Sequence, residues 1–330
     1  LTESLAEVEL ERPIYICGLA RSGTTILLEW LSTHPELCSH QYRDFPFLFT
    51  PYWWNWMLAR MATREELATE RVHKDRIKVT SRSPEAMEEM LWMHFFPNVH
   101  DSTISNVLDG EVHAPDFEAF YKDHIRKLIL IRGGSRYLAK GNYNIARLGY
   151  LQKMNPDARF VVMIREPEAH IASLSKQHRI LGEVEKRDPR ILNHMRRVGH
   201  FEFGLDRRPI NFGQGGQTQA IQAMWECGEE VRGWACYWND VYAFLNKAIE
   251  ADKELSHATL IVRYEDLCTE SSTTLDRISQ HCDLSWPEGS INPWLEQLSQ
   301  PTYYQSGFGL DELDLIANET EPIRGLYGYQ

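Results

Sequence analysis

The sequence predicts an α/β fold, a single domain in which a parallel β-sheet carries helices on both faces. Two observations support this prediction. Several short apolar runs lack polar alternation, which is typical of strands buried on both sides. Helical stretches separate these runs, and such alternation favours a parallel sheet. The predicted strands are 14–17, 137–140, 160–164 and 260–262, and the predicted helices are 24–34, 116–131, 167 to about 178, and a helix from about 273.

Length and composition agree with one domain. The chain has 330 residues, of which 43% are hydrophobic and 25% charged, enough apolar material for one sizeable core. We expect a single domain over 1–330 with an N-terminal extension at 1–12 and mainly helical regions at 41–135 and 181–240. The stretch 181–220 is rich in charge and glycine, which fits either a mobile flap or a solvated loop.

Charge and cysteine content exclude some classes of protein. The formal net charge is −12, which disfavours a nucleic-acid partner because such binding depends on Lys and Arg neutralising phosphates. The six cysteines form no CxxC pair, so we expect reduced thiols and a cytoplasmic protein. No apolar run approaches the ~20 residues of a membrane span, so we expect no stable membrane insertion. The chain begins at Leu1, which leaves open whether a targeting or anchoring segment was trimmed.

The segment 18–25, Gly-Leu-Ala-Arg-Ser-Gly-Thr-Thr, joins the first strand to the first helix. Amides at a helix start and the helix dipole attract an anion. Gly18 and Gly23 have the spacing of the nucleotide-triphosphate loop, but Thr24 stands where that loop has Lys, and the cation is Arg21. This pattern predicts a phosphate-bearing ligand and counts against ATP or GTP hydrolysis. A tight turn that binds nothing is the alternative.

A second candidate anion site follows the strand 160–164. Arg165 ends this strand, in the position where an ATPase would have an Asp for Mg²⁺, and Ser173 lies two turns into the next helix. Arg offers planar, bidentate donors to a phosphate, and Ser adds a hydroxyl. Because ligands of parallel sheets bind at the carboxyl ends of the strands, we expect both sites to lie at one edge. The alternative is an exposed Arg and a helical Ser without a ligand.

Together, these motifs resemble the donor site of sulfotransferases that use 3′-phosphoadenosine-5′-phosphosulfate (PAPS), proteins with a P-loop-like sheet. The run Arg-Ser-Gly-Thr-Thr at 21–25 is similar to that of protein-tyrosine sulfotransferases and many bacterial members, whereas cytosolic steroid and phenol sulfotransferases have Lys at the position of Arg21. The resemblance implies that Arg165 and Ser173 bind the 3′-phosphate. It implies that the 5′-phosphosulfate is bound by Arg21, Ser22, Gly23, Thr24 and Thr25.

The resemblance extends to the C-terminus. The segment 263–267, Arg-Tyr-Glu-Asp-Leu, resembles a family segment in which Tyr264 lies near the nucleotide, although a structural strand-end tyrosine is the alternative. The segments 303–310 and 326–329 resemble the end of many bacterial members.

The resemblance implies metal-independent transfer of a sulfuryl group from PAPS to an acceptor hydroxyl, with 3′,5′-ADP (PAP) as product. Arg21 would meet the leaving phosphate oxygen, and Lys140 would assist the sulfuryl oxygens, unless it is only a solvated lysine. Clustered aromatics either fill the core or line a pocket for an apolar, aryl or acyl alcohol, small or carrier-bound, in the helical regions. They are Phe45, Phe47, Phe49, Tyr52, Trp53, Trp54, Trp56, Trp92, Phe95 and Phe96.

The general base is open. Cytosolic members carry Lys-x-His where this chain has Lys140-Gly-Asn142, and Asn cannot abstract a proton. In protein-tyrosine sulfotransferases the base is a Glu shortly after the first helix. An alignment with one gap puts His40 or Gln41 there, with Asp44 near. A Pro…Glu-Glu segment typical of bacterial members supplies Glu88 and Glu89 as further candidates.

Two other functions stay open. The sheet topology also fits a nucleotide kinase-like phosphotransferase, and the motifs also fit a catalytically silent nucleotide-binding module. Neither the acceptor, nor the oligomeric state, nor an elimination step after sulfation follows from the sequence.

Overall fold

A parallel β-sheet of five strands forms the centre of the computed structural model, which describes residues 1–61, 69–70, 78–298 and 306–329. The strand order is β2-β5-β1-β6-β7, and every pair in it is parallel. Strands β3 and β4 form a separate antiparallel pair. The strands are β1 (Ile14–Cys17), β2 (Leu37–Cys38), β3 (Thr69–Glu70), β4 (Lys78–Val79), β5 (Arg136–Lys140), β6 (Arg159–Ile164) and β7 (Thr259–Arg263).

Helices surround the sheet. Those of the first half are α1 (Thr2–Ala6), α2 (Thr24–Leu31), α3 (Pro51–Leu58), α4 (Glu89–Phe95), α5 (Pro115–Arg132), α6 (Leu148–Met154) and α7 (Pro167–Arg187). Those of the second half are α8 (Pro189–Val198), α9 (Gln217–Glu226), α10 (Glu230–Ala251), α11 (Lys253–Ala258), α12 (Tyr264–Thr269), α13 (Ser271–His281), α14 (Asn292–Gln297) and α15 (Leu310–Arg324). Short 3₁₀ helices cover Tyr42–Phe47, Asn142–Ala146 and Gly325–Tyr327.

The two faces of the sheet have separate cores, which confirms the predicted α/β class with helices on both faces. Tyr15 and Cys17 of β1 pack with α5 and α10 on one face. Ile14 and Ile16 point to the other face and pack with α2 and α13. All four side chains are fully buried, as the lack of polar alternation predicts.

Several predicted elements differ in extent. Helix α2 ends at Leu31 rather than 34, because the hydroxyls of Ser32 and Thr33 donate to backbone carbonyls and compete with the helix. The alternative of a solvated loop at 181–220 was wrong for much of that stretch, which is helical. Helix α7 continues to Arg187, and α8 follows after Asp188, whose side chain caps it. The predicted helix from 273 begins at Ser271, and the separate helix α12 precedes it.

Two general properties follow from the described residues. None of the helices there is both long and apolar enough to cross a membrane. All six cysteines lie in the described part of the chain and are free thiols.

A buried ion pair ties the segment after β2 to the end of α5. The Asp44 carboxylate is fully buried and accepts two hydrogen bonds from Arg132, at 2.6 and 2.7 Å. It also accepts one from Asn55 Nδ2 at 2.8 Å and one from the Gln41 amide at 2.9 Å. Burial alone raises the pKa of Asp44, but His40 and Arg132 together hold it well below the ordinary value. Asp44 therefore stays ionised inside the protein.

We expect Asp44→Ala to lower the free energy of unfolding by about 3–5 kcal/mol, because the change leaves the Arg132 guanidinium buried without its partner. Asp123→Ala is the matched control, since it removes an exposed partner of Arg126 on the same helix. That control should cost at most about 1 kcal/mol. Urea titration at pH 7 measures both, and equal losses in the two variants would contradict this role for Asp44.

Candidate active site

The loop between β1 and α2 has an unusual backbone that requires glycine at two positions. Gly18 has φ 135°, and a Cβ there would collide with the Met163 carbonyl oxygen of β6. Gly23 has φ 101°, and a Cβ there would collide with the ring of Tyr264. Both positions therefore require glycine. Between them, Arg21 has φ 72°, a left-handed conformation that is unusual for a residue with a side chain.

The start of α2 suits an anion. Its N-cap is Gly23, and no side chain in the described part of the chain caps the helix. The first amides of a helix have no partner within the helix and carry its positive dipole end. Thr24 is buried at this end and Thr25 is half-buried. The amides and hydroxyls at the helix start thus fit the phosphate that the sequence predicts.

Arg21, Arg165 and Ser173 come together, although more than 140 positions separate the first two in the sequence. Arg21 Nε donates to Ser173 Oγ at 3.2 Å. Arg165 Nη1 donates to the Arg21 carbonyl oxygen at 3.3 Å, and its guanidinium lies 5.0 Å from the ring centroid of Tyr264. The two predicted anion sites are therefore contiguous, with Tyr264 packed between Gly23 and Arg165.

The carboxylate and the proline that follow Arg165 start helix α7. The Glu166 side chain caps α7 by accepting hydrogen bonds from the amides of Glu168 and Ala169, at 3.0 and 2.7 Å. Pro167 is the first residue of the helix, where its missing N–H costs nothing. This cap fixes the start of α7 and thereby the direction from which Ser173 reaches Arg21.

Two contacts at the site escape sequence reasoning because they join distant segments. Glu265 Oε1 accepts a hydrogen bond from the Glu166 amide at 3.0 Å, and its Oε2 accepts one from the Tyr329 hydroxyl at 2.8 Å. The carboxylate thus connects the ends of β6 and β7 to the C-terminal tail. The tail's resemblance to bacterial members at 326–329 is the signal that could have suggested this contact.

His170 is a further residue that the sequence reasoning missed. Its ring is fully buried, and Nε2–H donates to the Ala20 carbonyl oxygen at 2.9 Å. Burial, together with the charges of Arg165 and Arg21, lowers the pKa of His170 to about 3. A neutral imidazole therefore fixes the middle of the loop. Its spacing, five residues after Arg165 and three before Ser173, is the signal that could have found it.

Lys140 ends β5 at the same edge of the sheet. It pairs in register with Ile16 of β1, and the next amide, that of Gly141, donates to the Ile16 carbonyl oxygen at 3.0 Å. Lys140 therefore stands beside the strand that leads into Gly18. Asn142 stands where cytosolic sulfotransferases carry the His of their Lys-x-His motif. Its Nδ2 donates to Glu202 Oε1 at 2.8 Å, so this position contacts a carboxylate.

The candidate bases after β2 lie inside the protein. His40 is 2% exposed, with Nδ1 3.4 Å from Asp44 Oδ2 and Nε2 3.1 Å from His124 Nε2. Burial lowers the pKa of His124 well below its ordinary value, so His124 is neutral. In this arrangement both ring nitrogens of His40 face protein groups, and Asp44 is engaged by Arg132.

The two candidate glutamates are also engaged by protein groups. Glu88 accepts hydrogen bonds from the hydroxyls of Tyr121 and Tyr137, each at 2.6 Å, and burial raises its pKa. Glu89 accepts hydrogen bonds from Arg147 at 2.6 and 2.9 Å and lies 2.6 Å from His100 Nε2. Burial opposes ionisation of Glu89, but Arg147 and His100 lower its pKa to about 2. It is therefore a carboxylate within a buried ion cluster.

The comparisons with known proteins point to one family. The model of the sulfotransferase family matches residues 13–200, a range that contains both anion motifs and Lys140. The chain belongs to the sulfotransferase family. A comparison with curated proteins finds no match.

Solved sulfotransferases share the fold at low sequence identity. Sulfotransferase STF9 from Mycobacterium avium is 16% identical with a TM-score of 0.58, over 99% of this chain and 80% of that one. Sulfotransferase STF1 from Mycobacterium tuberculosis H37Rv is 14% identical with a TM-score of 0.50, over 97% of this chain and 79% of that one. These likenesses confirm the P-loop-like α/β fold of the sulfotransferase.

The aromatic residues that the sequence singled out differ in burial. Trp92 is fully buried in the core and packs against Phe96. Others, on α3, on the 3₁₀ helix before it and between the two, expose about 40% or more of their surface: Phe45, Phe47, Phe49, Trp53 and Trp56. Of the C-terminal segment 303–310, residues 303–305 lie outside the described residues.

We expect the stability of the sulfotransferase to depend on pH through His170. The unfolded chain binds a proton at this histidine below pH 6.5, whereas the folded protein resists it down to about pH 3. Stability is therefore lost as the pH falls below 6.5, by about 2 kcal/mol between pH 7 and pH 5 for this residue. His170→Gln keeps an N–H donor for the Ala20 carbonyl and should remove this part of the loss.

Urea midpoints of wild type and variant at pH 7 and pH 5 measure the difference. The exposed His257 supplies the control variant His257→Gln, which should lose as much stability as wild type. If His170→Gln and wild type lose the same stability between pH 7 and pH 5, His170 is not held neutral in the folded protein.

Proposed function

We propose that this sulfotransferase moves the sulfuryl group of PAPS to an acceptor hydroxyl without a metal, in the cytoplasm. One observation supports this most directly: Arg21, Arg165 and Ser173 meet at the uncapped start of α2. This arrangement brings two guanidinium groups and a hydroxyl together beside the first amides of a helix. A donor with phosphates on both sides of one adenosine matches that set better than a single phosphate does.

The residues divide between the two ends of the donor. The amides of 23–25 with Ser22, Thr24 and Thr25 would hold the 5′-phosphosulfate, since they surround the positive end of the helix dipole. Arg165 and Ser173 would hold the 3′-phosphate, with Arg165 supported by the ring of Tyr264. These are the roles that the sequence predicts for these residues.

PAPS would supply a sulfuryl group bound to a good leaving group. The chain then has to position the acceptor oxygen and the bridging phosphate oxygen, and to compensate the negative charge that develops on the latter. In the transfer, a bond forms between the acceptor oxygen and sulfur while the bridging bond from sulfur to the phosphate oxygen breaks. Arg21 would neutralise the charge that develops on the leaving phosphate oxygen. Lys140, at the neighbouring strand end, would stabilise the sulfuryl oxygens. A protein group must also accept the hydroxyl proton.

The acceptor is proposed to be an apolar, aryl or acyl alcohol, small or carrier-bound. The exposed aromatic side chains around α3 support this class, because they offer apolar area within the region 41–135. The other proposed acceptor-side region, 181–240, includes α8, α9 and the loop between them.

The deciding experiment combines donor binding with product detection. Calorimetry should show that the protein binds 3′,5′-ADP, and mass spectrometry should find a sulfated product when labelled PAPS is offered with a panel of alcohols, with EDTA present. Binding of 3′,5′-ADP without any product would indicate a silent nucleotide-binding module. Transfer of phosphate from ATP that requires Mg²⁺ would instead indicate the kinase-like alternative.

We expect Arg165→Ala to weaken binding of 3′,5′-ADP by about 1.5–3 kcal/mol, the contribution of a hydrogen bond to a charged group. Arg190→Ala is the control, because Arg190 is 90% exposed on α8 and bonds only to Asp188 in the described contacts. The control should bind like wild type. Calorimetry at pH 7 compares the three proteins, and equal affinities would remove Arg165 from the donor site.

We expect Arg21→Ala to lower kcat by roughly 10²–10³-fold, the loss typical of one preorganised donor to a developing charge. Steady-state kinetics at saturating PAPS measures this, with Arg190→Ala again as the control. Wild-type turnover in Arg21→Ala would exclude Arg21 from the stabilisation of the leaving oxygen.

A further inference from the structure

A chain of polar contacts extends from the end of β5 to a histidine that the sequence reasoning did not consider. Asn142 Nδ2 donates to Glu202 Oε1 at 2.8 Å. The other oxygen of the same carboxylate, Oε2, lies 3.2 Å from His200 Nδ1. Asn142 is two residues beyond Lys140. These contacts therefore place His200 at the edge of the sheet where the transfer is proposed to occur.

The backbone around His200 is held in place on both sides. Gly199 ends α8 in the left-handed conformation, with φ 78°, and a Cβ there would collide with the side chain of Glu89. The Phe201 amide donates to the Tyr143 hydroxyl at 2.9 Å, which attaches the loop to the segment after β5. His200 is thus presented from a fixed backbone.

His200 differs from the earlier candidates in exposure. Its side chain is 40% exposed, whereas His40 is 2% exposed and Asp44 is fully buried. Because the Glu202 carboxylate is an acceptor for Nδ1–H, it selects the tautomer in which Nε2 carries the lone pair. A base of this kind can receive a proton from a group outside the protein without any change in the fold.

The charges around His200 determine its pKa and thus the pH range in which it can accept a proton. Burial lowers its pKa, but the carboxylates of Glu202 and Glu85 raise it above the ordinary value, against an opposing effect of Lys140. Burial would raise the pKa of Glu202, but His200 and Asn142 lower it to about 2, so this carboxylate is charged throughout the working range. His200 and Glu202 therefore form a base and its orienting group.

We infer that His200 is the general base of the transfer and that Glu202 is its positioning residue. The inference rests on the proposed function. In the step, the acceptor oxygen bonds to sulfur, the bridging bond from sulfur to the phosphate oxygen breaks, and the acceptor proton moves to His200 Nε2. The resulting imidazolium is stabilised by the Glu202 carboxylate, and Lys140 lies close enough to affect the same ring electrostatically.

The test compares His200→Gln and Glu202→Gln with wild type and with the exposed control His257→Gln. The probes are 3′,5′-ADP for donor binding and labelled PAPS with 2-naphthol, decan-1-ol or water as acceptor. Thermal unfolding midpoints establish that each variant is folded. Each substituted glutamine keeps an amide in place of the ring or carboxylate, so the packing changes little.

We expect His200→Gln to lose about 10²–10⁴-fold in kcat, the contribution of a general base, while its affinity for 3′,5′-ADP is unchanged. In wild type, kcat should fall as the pH drops through the pKa of His200, because the protonated ring cannot accept a proton. Glu202→Gln should shift this acidic limb of the profile of kcat against pH to lower pH, since the change removes the charge that raises the pKa of His200. A merely structural role for Glu202 would not move the limb.

The outcomes separate this inference from the proposed function. If wild type binds 3′,5′-ADP and transfers sulfate, but His200→Gln turns over like His257→Gln, His200 is not the base and the sulfuryl transfer stands. If the pH limb of Glu202→Gln coincides with that of wild type, the positioning role is wrong. If wild type neither binds 3′,5′-ADP nor consumes PAPS, the proposed function fails, and the assignment of His200 fails with it.

Discussion

The position of β1 between β5 and β6 determines where the charged groups of the site lie. Parallel pairing puts Lys140 opposite Ile16 and Val162 opposite Cys17. The loop that follows Cys17, the lysine that ends β5 and the arginine just beyond β6 must therefore emerge at one edge of the sheet. Because the strands are buried on both faces, a slip in register would displace apolar side chains from two cores at once. The cores thus hold the site in place.

The loop keeps its unusual backbone because side chains fix three successive carbonyl groups. Those of Leu19, Ala20 and Arg21 accept hydrogen bonds from Ser22 Oγ, His170 Nε2 and Arg165 Nη1. A trans peptide directs its N–H away from its C=O, so fixing the carbonyls also fixes the direction of the loop amides. A left-handed residue with a side chain costs of order 1–3 kcal/mol and persists where its surroundings fix it. An acidic chain with net charge −12 thereby brings two arginines together at this loop.

Local patterns predicted the elements and part of the site, whereas contacts between distant segments escaped them. The unalternating apolar runs identified β1, β5, β6 and β7, and the glycines and Arg165 marked the strand ends. The strand β2 has two residues and no recognisable period, so it was missed. The contacts of Glu265, and the contact of Glu202 with Asn142, each join residues that no local pattern connects, because they depend on which strands and loops become neighbours.

The fates of the acidic and imidazole groups show why residue type alone does not identify a base. Burial penalises a charge, so a buried carboxylate stays ionised only when cations compensate, as Arg132 does for Asp44 and Arg147 for Glu89. Such compensation fixes the charge state and removes the group from proton exchange near neutral pH. A base needs the opposite balance, a ring that titrates near neutrality and a side chain that solvent and substrate can reach. In the His200–Glu202 pair, Glu202 provides the orienting carboxylate, and the 40% exposure of the His200 side chain provides the access.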